Sequence, residues 1–240
     1  MTVAAARVTL ADMPRRARSI IGGYVYHVLN RANGRLRLVK KKADFAAFEQ
    51  VLLEAHERLP LRILSYVVMG NHWHFVVWPK RGNNLELSEF FRWLTVTHSQ
   101  RWHAHHGTSG TGHVYQGRFK SFPVATDEHL TTLMRYVERN PLRANLVDRA
   151  QDWPWGSLHR RLQGDAEQQA ILTDSPVSLG GNWAKHVNQP QTEAELIALQ
   201  ASVSRGRPFG SETWCKKVAK QMGLEHTYRS PGRPRKKGTS

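Results

Sequence analysis

The stretch YVVMGNHWHF, residues 66–75, decides the fold more than any other part of the chain. Apolar residues run through 61–69 and again through 72–78, and the Gly-Asn pair between the two runs is typical of a tight turn. The pattern therefore predicts a β-hairpin. Because alternate residues of a strand share a face, His72 and His74 are expected on one side of the second strand and Trp73 on the other.

Further strands and helices are predicted on both sides of this hairpin. An aromatic and β-branched run predicts a strand over 24–31, and Pro123 suits an edge position for the strand over 118–124. Apolar residues at helical spacing predict helices over 43–58, 85–103 and 126–139, the last capped by Thr126 and ended at Asn140 by Pro141. This order predicts an α+β fold, a ferredoxin-like βαββαβ antiparallel sheet with helices on one face and an added third helix.

The remainder of the chain predicts a basic, mostly helical C-terminal extension. Helices are expected over 192–204, where Thr192 and Glu195 form a capping box, and over 211–222, before Gly223. We therefore predict four segments. They are a basic N-terminal arm (1–20), a domain that contains the predicted sheet (21–150), a helical extension (151–228) and a flexible basic tail (229–240).

The amino-acid composition limits the kinds of molecule that the protein can be expected to bind. The net charge is +16 with neutral histidines and the isoelectric point is about 10.5, which favours a nucleic-acid partner over an anionic membrane. The single cysteine, Cys215, excludes an intrachain disulfide and a cysteine-based zinc cluster. No apolar run reaches the ~18 residues of a membrane span, so we expect a cytoplasmic, nucleoid-associated protein.

Two residue sets are candidates for chemistry. His72 and His74 on one strand face form half of a metal site, although a bare His-x-His is more often an ordinary pair. Tyr136 and Asn140 lie four residues apart, so they share a helix face. Together they offer a hydroxyl nucleophile and a neutral oxygen ligand, which suits a hard divalent ion.

Five ordered motifs then identify a family resemblance. The chain resembles the REP-associated tyrosine transposases, relatives of the single-tyrosine HUH transposases. The matching segments are YHVLNR (26–31), YVVMGNHWHF (66–75), YQGRFKS (115–121), YVERNPLRANLV (136–147) and GRPFG (206–210), followed by a GRPR tail.

The resemblance implies a role for each site residue. It implies that His72, His74 and Asn140 bind a divalent ion, Mg²⁺ or Mn²⁺, and that Tyr136 is the nucleophile. The implied substrate is single-stranded DNA beside a REP-like hairpin, cleaved through a 5′-phosphotyrosine intermediate. We expect a monomer, with a dimer as the alternative. The expected DNA contacts are Arg31, Gln116, Arg118, Lys120, Arg143, Arg205, Arg207, Arg233, Arg235, Lys236 and Lys237.

Other functions fit part of the pattern. A non-catalytic regulator that binds palindromic repeats explains the charge and the two C-terminal helices, but not the joint occurrence of both candidate sets. A metal-dependent hydrolase that uses water explains the histidine pair and leaves Tyr136 structural. A degenerate transposase that only binds DNA is disfavoured, because every expected catalytic residue type is present.

Overall fold

The computed structural model describes residues 19–229 and contains one four-stranded sheet with helices on both faces. The predicted arm and tail lie mostly outside these residues. The strands are β1 (Val25–Arg31), β2 (Ile63–Val68), β3 (His72–Val77) and β4 (Lys120–Val124). The helices are α1 (Lys42–Arg58), α2 (Glu86–His106), α3 (Glu128–Glu138), α4 (Asn140–Arg143), α5 (Ser157–Gln163), α6 (Ala166–Ala170), α7 (Trp183–Asn188), α8 (Glu193–Arg205) and α9 (Glu212–Met222).

The sheet confirms the predicted ferredoxin-like topology. Its strand order is β2-β3-β1-β4, and all three neighbouring pairs are antiparallel. β3 is therefore central, between its hairpin partner β2 and the first strand β1. β4 is an edge strand, which explains how Pro123 is tolerated in it. The predicted α+β class is correct.

Both faces of the sheet are covered, so most residues of the strands are buried whichever face they lie on. Even-numbered residues of β1 and odd-numbered residues of β3 pack against α1 and α2. The alternate residues of both strands lie on the opposite face, where α3 contributes Leu130, Leu133, Met134 and Val137. The helix added to the ferredoxin-like unit therefore forms a third layer of its own.

Three predicted details around α3 and β4 need correction. The N-cap of α3 is Asp127 rather than Thr126, because the Asp127 carboxylate accepts a hydrogen bond from the backbone of His129 at 2.9 Å. Pro141 does not end helical structure: it occupies the first turn of α4, where its missing N–H leaves no bond unmade. β4 begins at Lys120, so residues 116–119 form a loop rather than part of a strand.

The C-terminal extension packs against both faces of the sheet domain. Leu199 and Phe209 join the core under α3, whereas Val218 and Met222 join the core under α1 and α2. The backbone of Phe209 also bonds to Pro123 and Ala125, which covers part of the exposed edge of β4. The boundary predicted at residue 150 stays a prediction. No helix among residues 19–229 is long and apolar enough to cross a membrane.

Buried polar side chains join the extension to the sheet domain. Glu138 of α3 accepts hydrogen bonds from Ser157 Oγ and from Trp183 Nε1, both at 2.7 Å. Arg160 of α5 makes a two-bond ion pair with Glu49 of α1. Burial raises the pKa of the Glu138 carboxyl. These contacts hold α5 and α7, two short helices that sequence periodicity did not predict.

Candidate functional site

His72 and His74 lie on the α3 face of the central strand. Their rings are nearly perpendicular, with centroids 5.0 Å apart. His74 is 4% exposed and His72 is half-buried. Trp73 points to the other face, where it stacks on Phe91 of α2. Alternation along β3 therefore directs the tryptophan into the core on one face of the sheet and both imidazoles toward α3 on the other face.

α3 and α4 bring Tyr136 and Asn140 to the same place. The Tyr136 ring meets the edge of His74 at a centroid distance of 5.9 Å. Asn140, at the first position of α4, hydrogen-bonds His72 through its side chain. Among the described residues the Nδ2 of Asn140 has no partner, although the side chain is buried. The structure therefore brings all four residues predicted as metal ligands or nucleophile into one cluster.

In each histidine, one ring nitrogen is hydrogen-bonded to another side chain of the protein. His72 Nδ1 lies 2.7 Å from Asn71 Oδ1, and His74 Nδ1 lies 2.9 Å from His27 Nε2. Nε2 of each ring is therefore the nitrogen that a cation could reach, with the Asn140 side chain beside His72. Two imidazole nitrogens and the amide oxygen of Asn140 form a donor set that fits a divalent cation.

The imidazoles are held in the neutral form that a metal ligand requires. The pKa of His72 is lowered to about 4, chiefly by burial; the positive charges of Arg31 and Arg143 act in the same direction, and the bond to Asn140 acts in the opposite one. Burial also lowers the pKa of His74 well below its ordinary value. Both rings therefore keep an unshared electron pair at neutral pH.

His27 is a member of this cluster that the sequence analysis did not identify. It lies inside the 26–31 motif, is 0% exposed, and contacts His74 directly. Burial lowers its pKa to about 3. The alternation of β1 places it on the α3 face, but only the antiparallel register of β1 against β3 shows that it meets His74.

Two arginines surround the cluster with positive charge. Arg143 Nη2 donates a hydrogen bond to Tyr136 Oη at 3.2 Å, and its guanidinium lies 4.5 Å from the centre of the same ring. Arg31 is the register partner of His72 at the end of β1. Two cations beside this cluster, with no ion pair to a carboxylate within residues 19–229, favour an anionic ligand such as a phosphodiester.

A second group of possible metal ligands lies at the other end of α3. Asp127, Glu128 and His129 have ligand atoms within 4.8 Å of one another, the one such group of His, Cys, Asp and Glu in the described part of the chain. Asp127 already caps the helix there. An eleven-residue helix, about 16 Å long, separates this group from Asn140.

The remaining predicted DNA contacts are distributed unevenly. Lys120 and Gln116 are exposed near the end of β1, and the Gln116 backbone bonds to Arg31. Arg118 and Arg205 are also exposed. Arg207 is half-buried, and its guanidinium lies 4.4 Å over the ring of Tyr228, which is exposed. Four predicted contacts, Arg233, Arg235, Lys236 and Lys237, lie outside the described residues.

Comparisons with known proteins agree with this geometry. Residues 21–140 match the family model described as "Transposase IS200 like". A REP-associated tyrosine transposase of Escherichia coli (strain K12) is 23% identical over 141 residues, which cover 59% of this chain and 79% of that protein. The solved structure of a REP-associated tyrosine transposase bound to a REP hairpin matches with a TM-score of 0.52 and 17% identity, covering 69% of this chain and 92% of that one. The resemblance inferred from the motifs is confirmed.

Proposed function

Because the chain belongs to the IS200-like transposase family, we propose that it is a metal-dependent endonuclease and strand transferase for single-stranded DNA. We propose that it acts at REP-type hairpins through a 5′-phosphotyrosine intermediate. The observation that supports this most is the convergence of Tyr136, His72, His74 and Asn140 from three separate elements, which are α3, β3 and α4.

His72, His74 and Asn140 would hold the divalent ion. When bound, such an ion polarises a non-bridging phosphate oxygen and neutralises charge that develops in the transition state. The protein's part is to hold the ligands with little freedom. β3 fixes both imidazoles, and α4 fixes the amide. Mg²⁺ and Mn²⁺ are the proposed ions, because the set includes a neutral oxygen donor.

Tyr136 would carry the nucleophilic step. Its Oη forms a bond to phosphorus while the bond from phosphorus to the 3′-oxygen breaks, and the phenol proton is lost as the 3′-hydroxyl is released. The 5′-phosphate stays on tyrosine, and attack by a free 3′-hydroxyl reverses the step and joins strands. Arg143 supports this role, since it orients the ring and donates to the oxygen that becomes negative.

Single-stranded DNA next to a hairpin suits the charge and position of the exposed residues. Lys120 and Arg31 lie beside the cluster and can bind phosphates that lead into it. The related solved structure is bound to a REP hairpin, and we extend that substrate class to this chain. Unpaired bases beside the hairpin would give access that a duplex denies.

A cleavage assay on denaturing gels tests the proposal. Wild type and Tyr136→Phe are incubated with a labelled library of single-stranded hairpins in Mg²⁺, Mn²⁺ or EDTA. We expect metal-dependent cleavage in wild type only. Cleavage that persists in Tyr136→Phe would favour a water-using hydrolase, and hairpin binding without cleavage in either metal would favour a non-catalytic regulator.

A further inference from the structure

A buried pair of histidines lies beneath the proposed metal site. His27 Nε2 and His74 Nδ1 are 2.9 Å apart, and the two rings are stacked at 13° with centroids 5.0 Å apart. His27 is wholly buried between His74 and Phe122, whose ring meets it edge-on at 4.9 Å. His27 therefore cannot touch DNA, and any effect it has on the reaction must pass through His74.

The packing of the core does not explain a histidine at this position. The other nitrogen of His27, Nδ1, is buried and has no hydrogen-bond partner among the described residues. A buried polar atom without a partner destabilises a fold, whereas an aliphatic side chain of similar size would fill the site without that penalty. The neighbouring Val25 and Phe122, on the same face, are apolar.

We propose that His27 is a positioning residue that fixes the ring and tautomer of His74, so that His74 Nε2 faces the divalent ion. This inference rests on the proposed function, because it presumes that His74 is a ligand. A neutral imidazole that offers Nε2 to a cation carries its proton on Nδ1. That proton then needs an acceptor, and the Nε2 atom of His27 is the atom in contact with it.

The same contact restricts rotation of the ligand ring. Metal-binding histidines ordinarily direct their second nitrogen to a carboxylate, a carbonyl or water, and this partner sets both orientation and donor strength. Here the partner is a second imidazole. It supplies an acceptor without adding a negative charge beneath the site, so the site remains positive toward an incoming phosphate.

Four substitutions separate this role from a structural one. His27→Leu removes the acceptor and the unpaired nitrogen together. His27→Gln places an amide near the position of the imidazole Nε2 and can still accept from His74. Val25→Ala perturbs the same strand and core without touching His74, and serves as the matched control. His72→Ala removes a proposed ligand.

The measurement is Mn²⁺ affinity, from the electron paramagnetic resonance signal of free Mn²⁺, together with the melting temperature of each full-length protein. We expect His27→Leu to bind Mn²⁺ about 10–100-fold more weakly with an unchanged or higher melting temperature. We expect His27→Gln to recover part of the affinity, and Val25→Ala to melt lower with affinity unchanged.

The outcomes distinguish failure of this inference from failure of the proposed function. If wild type binds Mn²⁺ and His72→Ala does not, but His27→Leu binds as wild type does, the positioning role is wrong and the metal site stands. A His27→Leu protein that loses affinity only through a lower melting temperature would also overturn the inference. If wild type and His72→Ala bind Mn²⁺ equally, the proposed metal site itself is wrong.

Discussion

Substitution of Arg143 by alanine is expected to slow covalent attachment of DNA to Tyr136. The guanidinium donates to the phenol oxygen at 3.2 Å and lies 4.5 Å from the ring centre, so it acts on both the charge and the orientation of the nucleophile. A hydrogen bond to a neutral group contributes about 1 kcal/mol, and one to a charged group about 1.5–3 kcal/mol. The bond therefore strengthens as negative charge develops on the oxygen.

The rate effect follows from that difference. Arg143 is exposed, which places its contribution at the lower end, about 1–2 kcal/mol of transition-state stabilisation including ring orientation. Since each 1.4 kcal/mol changes a rate about tenfold, Arg143→Ala should form the adduct about 5–30-fold more slowly. The assay is single-turnover adduct formation at saturating concentrations of the oligonucleotide that wild type cleaves fastest.

A matched control separates chemistry from DNA binding. Arg205→Ala removes an exposed cation that has no contact with Tyr136, so it should weaken DNA binding and leave the rate at saturating DNA unchanged. Arg143→Lys keeps the charge but loses the planar fork, and its rate should be intermediate. If Arg143→Ala matches wild type at saturating DNA, the arginine only binds DNA and the reasoning is refuted.

Three further predictions concern stability and linkage. Glu138→Gln can accept a hydrogen bond from Trp183 Nε1 and donate one to Ser157 Oγ, and it removes a buried charge. Its stability relative to wild type should therefore rise as pH increases through the raised carboxyl pKa and be least below 4.5, as urea unfolding at several pH values would show; a pH-independent difference would contradict this. Arg160→Leu should lower the free energy of unfolding, measured in urea, by about 3–5 kcal/mol, and a second substitution, Glu49→Leu, should restore most of that loss. Equal destabilisation of the single and double variants would argue against a buried ion pair. Saturating single-stranded DNA should raise Mn²⁺ affinity about 5–150-fold, because a phosphate offsets the positive charges near His72. For the same reason the Arg31→Gln variant should bind Mn²⁺ more tightly than wild type in the absence of DNA. Equal Mn²⁺ affinity with and without DNA would exclude this coupling.

Local sequence pattern predicted the sheet domain well, because each strand and long helix is dictated by its own periodicity. The turn at Gly70-Asn71 fixes the hairpin, and the alternation of β3 fixes which side chains face α3. Pro123 correctly indicated the edge strand. The end predicted for the third helix was correct to within one residue, but the chain does not leave helical structure at Asn140, since a proline also fits the first turn of a new helix.

The features that the sequence pattern did not predict depend on contacts between residues far apart in the chain. α5 and α7 are short and weakly periodic, and they depend on bonds to side chains far along the chain, such as Glu138 with Trp183. The role of His27 depends on strand register, which alternation alone does not give. Arg207 stays a predicted DNA contact, and the position of its guanidinium over the exposed ring of Tyr228 could not be predicted from its motif.

Mass spectrometry of the protein–DNA adduct tests the central claim most directly. Wild type is incubated with Mn²⁺ and a single-stranded hairpin oligonucleotide, digested with nuclease and protease, and the modified peptide is sequenced. The account predicts a 5′-phosphonucleotide on Tyr136, absent with EDTA and absent from Tyr136→Phe. Cleaved DNA with no modified peptide, or a nucleotide attached to any other residue, would contradict it.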